Sequence, residues 1–222
     1  TQIHTHTHRH YHDHRRDGTS AGDDGPGIAI GLGFAGLTAA ALVCQAYLTY
    51  ATFSVKLINF SVVFLIFFSL IYGFRATLDG SSNSISRMFG FILPCVLRGI
   101  IWLLLLDAQN YANYYSANGS KFTFKSVLDS LWGGAKWAKF VFFQAFGLML
   151  TCLSIILLTI ASMHHAVAGH QDDLGLVTGF RGWFARSTKW AAGWPGATSA
   201  VLLVLAAWLC ISGTAYRFLT SQ

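Results

Sequence analysis

Residues 57–74, LINFSVVFLIFFSLIYGF, carry no charge over a full eighteen positions. As an α-helix that stretch rises about 27 Å, close to the ~30 Å hydrocarbon layer of a bilayer. Four other stretches are comparable: residues 28–53, 88–106, 140–163 and 197–216. Only 11% of the chain is charged while 54% is hydrophobic, whereas soluble domains carry about 25% charged residues. The apolar excess therefore has lipid as its solvent. We expect an all-α, polytopic integral membrane helical bundle with about five transmembrane helices. One or two amphipathic interfacial helices should accompany them. A polar, His-rich amino-terminal tail (residues 1–27) precedes the transmembrane helical domain (residues 28–222). The tail holds no apolar stretch that would be a retained secretory signal. Ser54, Val55 and Lys56 separate the first two runs so narrowly that the expected arrangement there is an antiparallel hairpin.

The net charge of +6 arises from 15 Lys and Arg against nine acidic residues, every one of them Asp. The cations are scattered between apolar runs, which points to anionic lipid headgroups and away from nucleic acid. Cys44, Cys95, Cys152 and Cys210 all lie inside apolar runs. No loop disulfide is available, and the thiols read as small apolar side chains. Lys and Arg divide almost evenly between alternate connections, so orientation rests on little more than a glycosylation triplet at Asn118-Gly119-Ser120. The membrane itself, an organellar inner membrane or the plasma membrane, is left open.

Between residues 174 and 194 a helical period gathers Leu176, Phe180, Trp183, Phe184, Trp190 and Trp194 into one arc of roughly 120°. Arg181, Arg186 and Lys189 fall outside it. Asp172 or Asp173 can cap the start, and Gly193 to Gly196 end it. A Trp-rich face with cations opposite suits a helix lying in the headgroup layer, or one packed on a neighbouring subunit. Residues 124–139 repeat the pattern less well, with Phe124, Val127, Leu128, Leu131 and Ala135 in line and Gly133-Gly134 interrupting.

His4, His6, His8, His10, His12 and His14 alternate in the tail, about 7 Å apart on one side of an extended chain. Imidazoles so placed can capture Zn or Cu weakly, or act as a pH-dependent cation. A defined metal site also needs fixed geometry, so no cofactor is required by this reading. His164, His165 and His170 follow the fourth run and read as headgroup-level residues.

Gly31-Leu32-Gly33-Phe34-Ala35-Gly36 resembles, over about a dozen residues, the dinucleotide fingerprint of flavin oxidoreductases. That resemblance implies a preceding strand and an acidic residue about 20 positions on. Pro26 and Gly27 stand upstream instead, and Lys56 stands where the carboxylate belongs. The reading taken is a small-residue face, with Gly27, Gly31 and Gly36 admitting another helix.

Arg98 lies near the middle of the third run, where a charge costs about 2.5–3.5 kcal/mol on insertion scales. Asp107 is on the opposite helical face, and no other run contains an acid. Arg98 must find carbonyls, a lipid phosphate, a ligand or another subunit's carboxylate, unless Pro94 and Gly99 lift it to an interface where it snorkels. The runs hold no proton- or sodium-relay carboxylates, and no nucleophile, acid and base stand at a recognisable spacing. The expected function is a non-catalytic, accessory subunit of a larger multisubunit membrane complex, bound to other membrane subunits and to lipids. The alternative is a channel or transporter, with metal ions captured by the tail as a candidate cargo.

Overall fold

The computed structural model describes residues 25–78, 84–118, 121–168 and 180–220. The tail histidines, His170, Asp172, Asp173 and Leu176 lie outside them. Among the described residues seven helices follow one another: α1 Gly25–Leu78, α2 Ser84–Asn118, α3 Phe124–Trp132, α4 Lys136–Ala168, α5 Phe180–Ala192, α6 Trp194–Ile211 and α7 Thr214–Thr220. No strand occurs among the described residues. The chain divides into two compact units. The described part of the first, residues 25–36, is helical, and the second, Leu37–Gln222, holds the bundle.

Among the described residues four helices are long and apolar enough to cross a membrane, where about five were expected: Gly33–Arg75, Gly90–Tyr115, Lys136–Val167 and Trp194–Ile211. The expected hairpin at Ser54–Lys56 is not formed, because α1 is continuous through it. The reason is local. Ser54, Val55 and Lys56 include no Gly, Pro or Asn to stop a helix, and Val55 is fully buried in register with Leu48, Ala51 and Val62. Lys56 is exposed beside them. Pro94 likewise fails to break α2, which continues past Leu106 as a polar helix to Asn118. The fifth run divides instead. Gly213, at φ 73°, turns the chain between α6 and α7. A side chain there would be strained and would also lie 3.0 Å from the Phe140 ring.

Side-chain contacts fix the relative levels of the helices in the second unit. At one end Thr52 donates to the carbonyl of Ala112 at 3.1 Å, and the Tyr47 ring meets Tyr115 edge-on. The rings of Tyr111, Phe140 and Tyr216 meet in sequence at 5.5 and 5.6 Å. At the other end Gly73 lies against Phe91, and Gly90 lies against the His165 ring. α1 is therefore antiparallel to α2, and α2 to α4. Antiparallel counting from the Thr52–Ala112 bond puts Lys56 level with Ala108, beside Asp107. Lys56, Asp107, Lys136 and Lys139 are all exposed. Along α1 the rise from Lys56 to the next charge, Arg75, is about 28 Å, one hydrocarbon thickness. The Tyr111, Phe140 and Tyr216 rings gather near the first of these levels.

Small residues let α4 and α6 close together. A Cβ on Gly147 would sit 2.7 Å from Ile211 and 2.9 Å from Cys210. Ala200, Val204 and Ala207 of α6 are buried with Thr151 and Ser154 of α4. Close backbone approach through Gly, Ala, Ser and Thr is the usual way helices associate in lipid, where apolar burial alone gives little. α3 starts at Thr123, whose hydroxyl accepts from the amide of Ser126, and stops at Gly133 and Gly134. Of its expected apolar line, Val127 is buried while Phe124 remains 37% exposed.

Candidate functional site

Arg98 is completely buried. Its position on α2 is fixed by Leu97 and Ile101, both of which belong to the apolar core. A helical side chain leans toward the helix amino terminus, here toward the end where Gly90 meets His165. The guanidinium nevertheless stops inside the protein, so the snorkelling alternative does not hold. Nη1 donates to the hydroxyl of Ser69 and, at 3.3 Å, to the carbonyl of Leu65, both on α1. Nη2 donates to the hydroxyl of Ser162 on α4 at 3.2 Å. Nε has no partner. Arg98 thus ties three helices together through neutral oxygens, and Ser162 passes its own proton to the Leu158 carbonyl at 2.9 Å. Hydrogen bonds to a charged group contribute about 1.5–3 kcal/mol each. Three of them offset the insertion cost, but none supplies a negative charge.

The chain matches no family model, no curated protein and no solved structure. The site must therefore be read from its own chemistry.

Two hollows flank Arg98. One, of about 380 Å³, lies among α2, α4, α5 and α6 and is walled by Pro94, Leu97, Leu158, Ala161, His165 and Trp194. The other, also about 380 Å³, is an open groove between α1 and α2, lined by Ser69, Gly73, Phe91, Ile92 and Cys95 among others. Ser69 and Ser162, on opposite sides of the guanidinium, place a polar belt across an otherwise apolar bundle.

The other expected site residues are spread out. α5 forms over Phe180–Ala192, within the expected segment, and Gly193 ends it. Its buried residues are Gly182, Ala185 and Ala191. His164 and Thr188 join α4 to α5 through a 3.0 Å hydrogen bond. The aromatic residues face outward: Trp183 is 57% and Trp190 55% exposed. Arg186 and Lys189 are exposed with them, while the side chain of Arg181 lies outside those described. α5 therefore attaches to the bundle by its small residues, not by its tryptophans. A Cβ on Gly36 would meet nothing within 4 Å, whereas Gly90, Gly147 and Gly196 make close approaches within the chain. Gly27 and Gly31 belong to the opening of α1. Among the described residues no three His, Cys, Asp or Glu side chains converge on a metal-sized site.

One polar residue escaped the sequence reading. Gln144, buried in α4, donates through Nε2 to the carbonyl of Ile211, the last residue of α6. A helix-terminal carbonyl has no partner within its own helix, so Gln144 closes the end of α6 from the side. Its Oε1 has no partner among the described residues. The available signal was that Gln144 is the only Asn or Gln in residues 140–163. Replacing it as Gln144→Leu should lower stability by about 1 kcal/mol and speed amide exchange around the α6–α7 turn. Unchanged exchange at Ser212 and Gly213 would show that the bond contributes nothing.

Proposed function

We propose that this protein is a non-catalytic subunit of a larger multisubunit membrane complex. The observation that carries the reading is the length and placement of α1. Its apolar span, Gly33–Arg75, is 43 residues, or about 64 Å, roughly twice a hydrocarbon layer. We take the membrane to lie at the part between Lys56 and Arg75, whose uncharged length matches one hydrocarbon layer. The preceding turns from Leu37 to Phe53 rise about 25 Å further, past the level of Asp107, where α2 turns polar with Asn110, Asn113 and Asn118. Those turns do not turn polar in step. Leu42 is 57%, Tyr50 62% and Phe53 67% exposed. Contiguous apolar surface held outside lipid is the mark of a protein interface, and another subunit's chain is the occupant we assign to it.

The same reading gives α5 a role at the boundary. Trp183, Arg186 and Trp190 share one exposed side of α5, a composition that suits the headgroup layer and anionic lipids.

A photo-reactive residue at Leu42, activated in native membranes, tests the central point. The reading requires an adduct with a different polypeptide. Adducts with lipid alone, or none, would remove its support.

A further inference from the structure

The charge on Arg98 has no counter-charge in this chain's apolar runs, and the groove beside it offers a way to supply one. Ser69 is 1% exposed, yet it lines the α1/α2 groove. Its oxygen accepts from Arg98 Nη1, and its hydroxyl proton is donated to no atom among the described residues. A hydroxyl that accepts from a guanidinium is polarised toward whatever it faces next. The rest of the lining is almost wholly apolar, with Gly73, Phe91 and Ile92 around the one hydroxyl. An occupant therefore needs an apolar body and a single buried hydrogen-bond acceptor, preferably anionic.

Depth decides which kind of occupant. Ser69 lies six residues inside Arg75 along α1, about 9 Å below the boundary that Arg75 marks. A lipid phosphate remains in the headgroup layer, whereas an Asp or Glu on a helix can be carried to any depth and is stable there only when paired.

We propose that the α1/α2 groove seats a transmembrane helix of a partner subunit, whose carboxylate accepts the Ser69 hydroxyl proton and serves as the counter-ion of Arg98. This rests on the subunit reading above and names the chemistry of the partner. Arg98 and Ser69 then form a charge-selective socket, specific because an apolar helix would leave the guanidinium uncompensated.

The test is quantitative recovery of partner chains with tagged full-length protein from the cells that make it. Arg98→Gln removes the charge, and Ile92→Trp fills the groove without touching Arg98. Each is expected to reduce recovered partner at least tenfold, and a photo-reactive residue at Leu70 should form its adduct with an apolar partner segment containing Asp or Glu. If Arg98→Gln fails to fold, Ile92→Trp decides alone. Full partner recovery with Ile92→Trp overturns the proposal, as does an adduct with lipid only. If both variants keep their partners while changes at Leu42 and Tyr50 lose them, the socket is wrong and the subunit reading stands. If wild-type protein recovers no other chain, both fall.

Discussion

Replacing Gly196 with alanine should lower the stability of the isolated protein by about 3 kcal/mol or more, near the upper end of overpacking costs. Gly196 is buried in the first turn of α6. An added Cβ would lie 2.1 Å from the carbonyl oxygen of Ala191 and 2.5 Å from its carbon. Both are backbone atoms of α5, so no rotamer change relieves the clash, and the α5–α6 corner has to open. Opening it withdraws Ala191 from burial and strains the His164–Thr188 bond that holds α5 to α4. Gly99→Ala is the matched control. Gly99 is also helical, but a Cβ there meets nothing within 4 Å, so the change should be neutral or slightly stabilising, since Ala exceeds Gly in helix propensity by up to about 1 kcal/mol. Thermal unfolding of both variants in the same detergent gives the comparison. Equal melting temperatures would mean that the α5–α6 corner is not packed as described.

The second large effect concerns assembly. Leu42→Asp combined with Tyr50→Asp should release the protein from its complex while leaving its own bundle intact. Both side chains are more than half exposed, so the isolated chain loses little packing. Their helix, however, presents them beyond the level of Lys56 and Asp107, where the proposed partner covers them. A buried unpaired carboxylate costs several kcal/mol, and two within one interface should reduce association by a hundredfold or more. Co-purification from native membranes measures this. Complete retention of partners by the double variant would remove that part of α1 from any interface.

Much of the membrane architecture was legible in the sequence because hydrocarbon thickness imposes a length that apolar runs must match. The positions of the runs at 88–106 and 140–163 fall inside α2 and α4 for that reason. The burial of Arg98 was legible as a cost needing partners. Which partners it takes was not, because Ser69 and Ser162 are 29 and 64 residues away in sequence, and serines in apolar helices carry no mark of their neighbours. The expected hairpin is absent because Lys56 lies within a continuous helix and not in a loop. A charge between two apolar runs is equally consistent with a helix leaving the membrane, and the absence of any helix-stopping residue at Ser54 to Lys56 was the better guide. In α5 the aromatic period was visible, whereas the buried Gly182, Ala185 and Ala191 share no single face, Gly182 and Ala191 lying about 180° apart around the helix. Close helix packing in lipid favours small residues, and it was these that turned inward.

The most direct measurement is native mass spectrometry of the protein extracted gently from its own membrane. The account predicts a heavy assembly in which this chain is present with different polypeptides in fixed ratio. A lone chain, or an oligomer of this chain only, would contradict it.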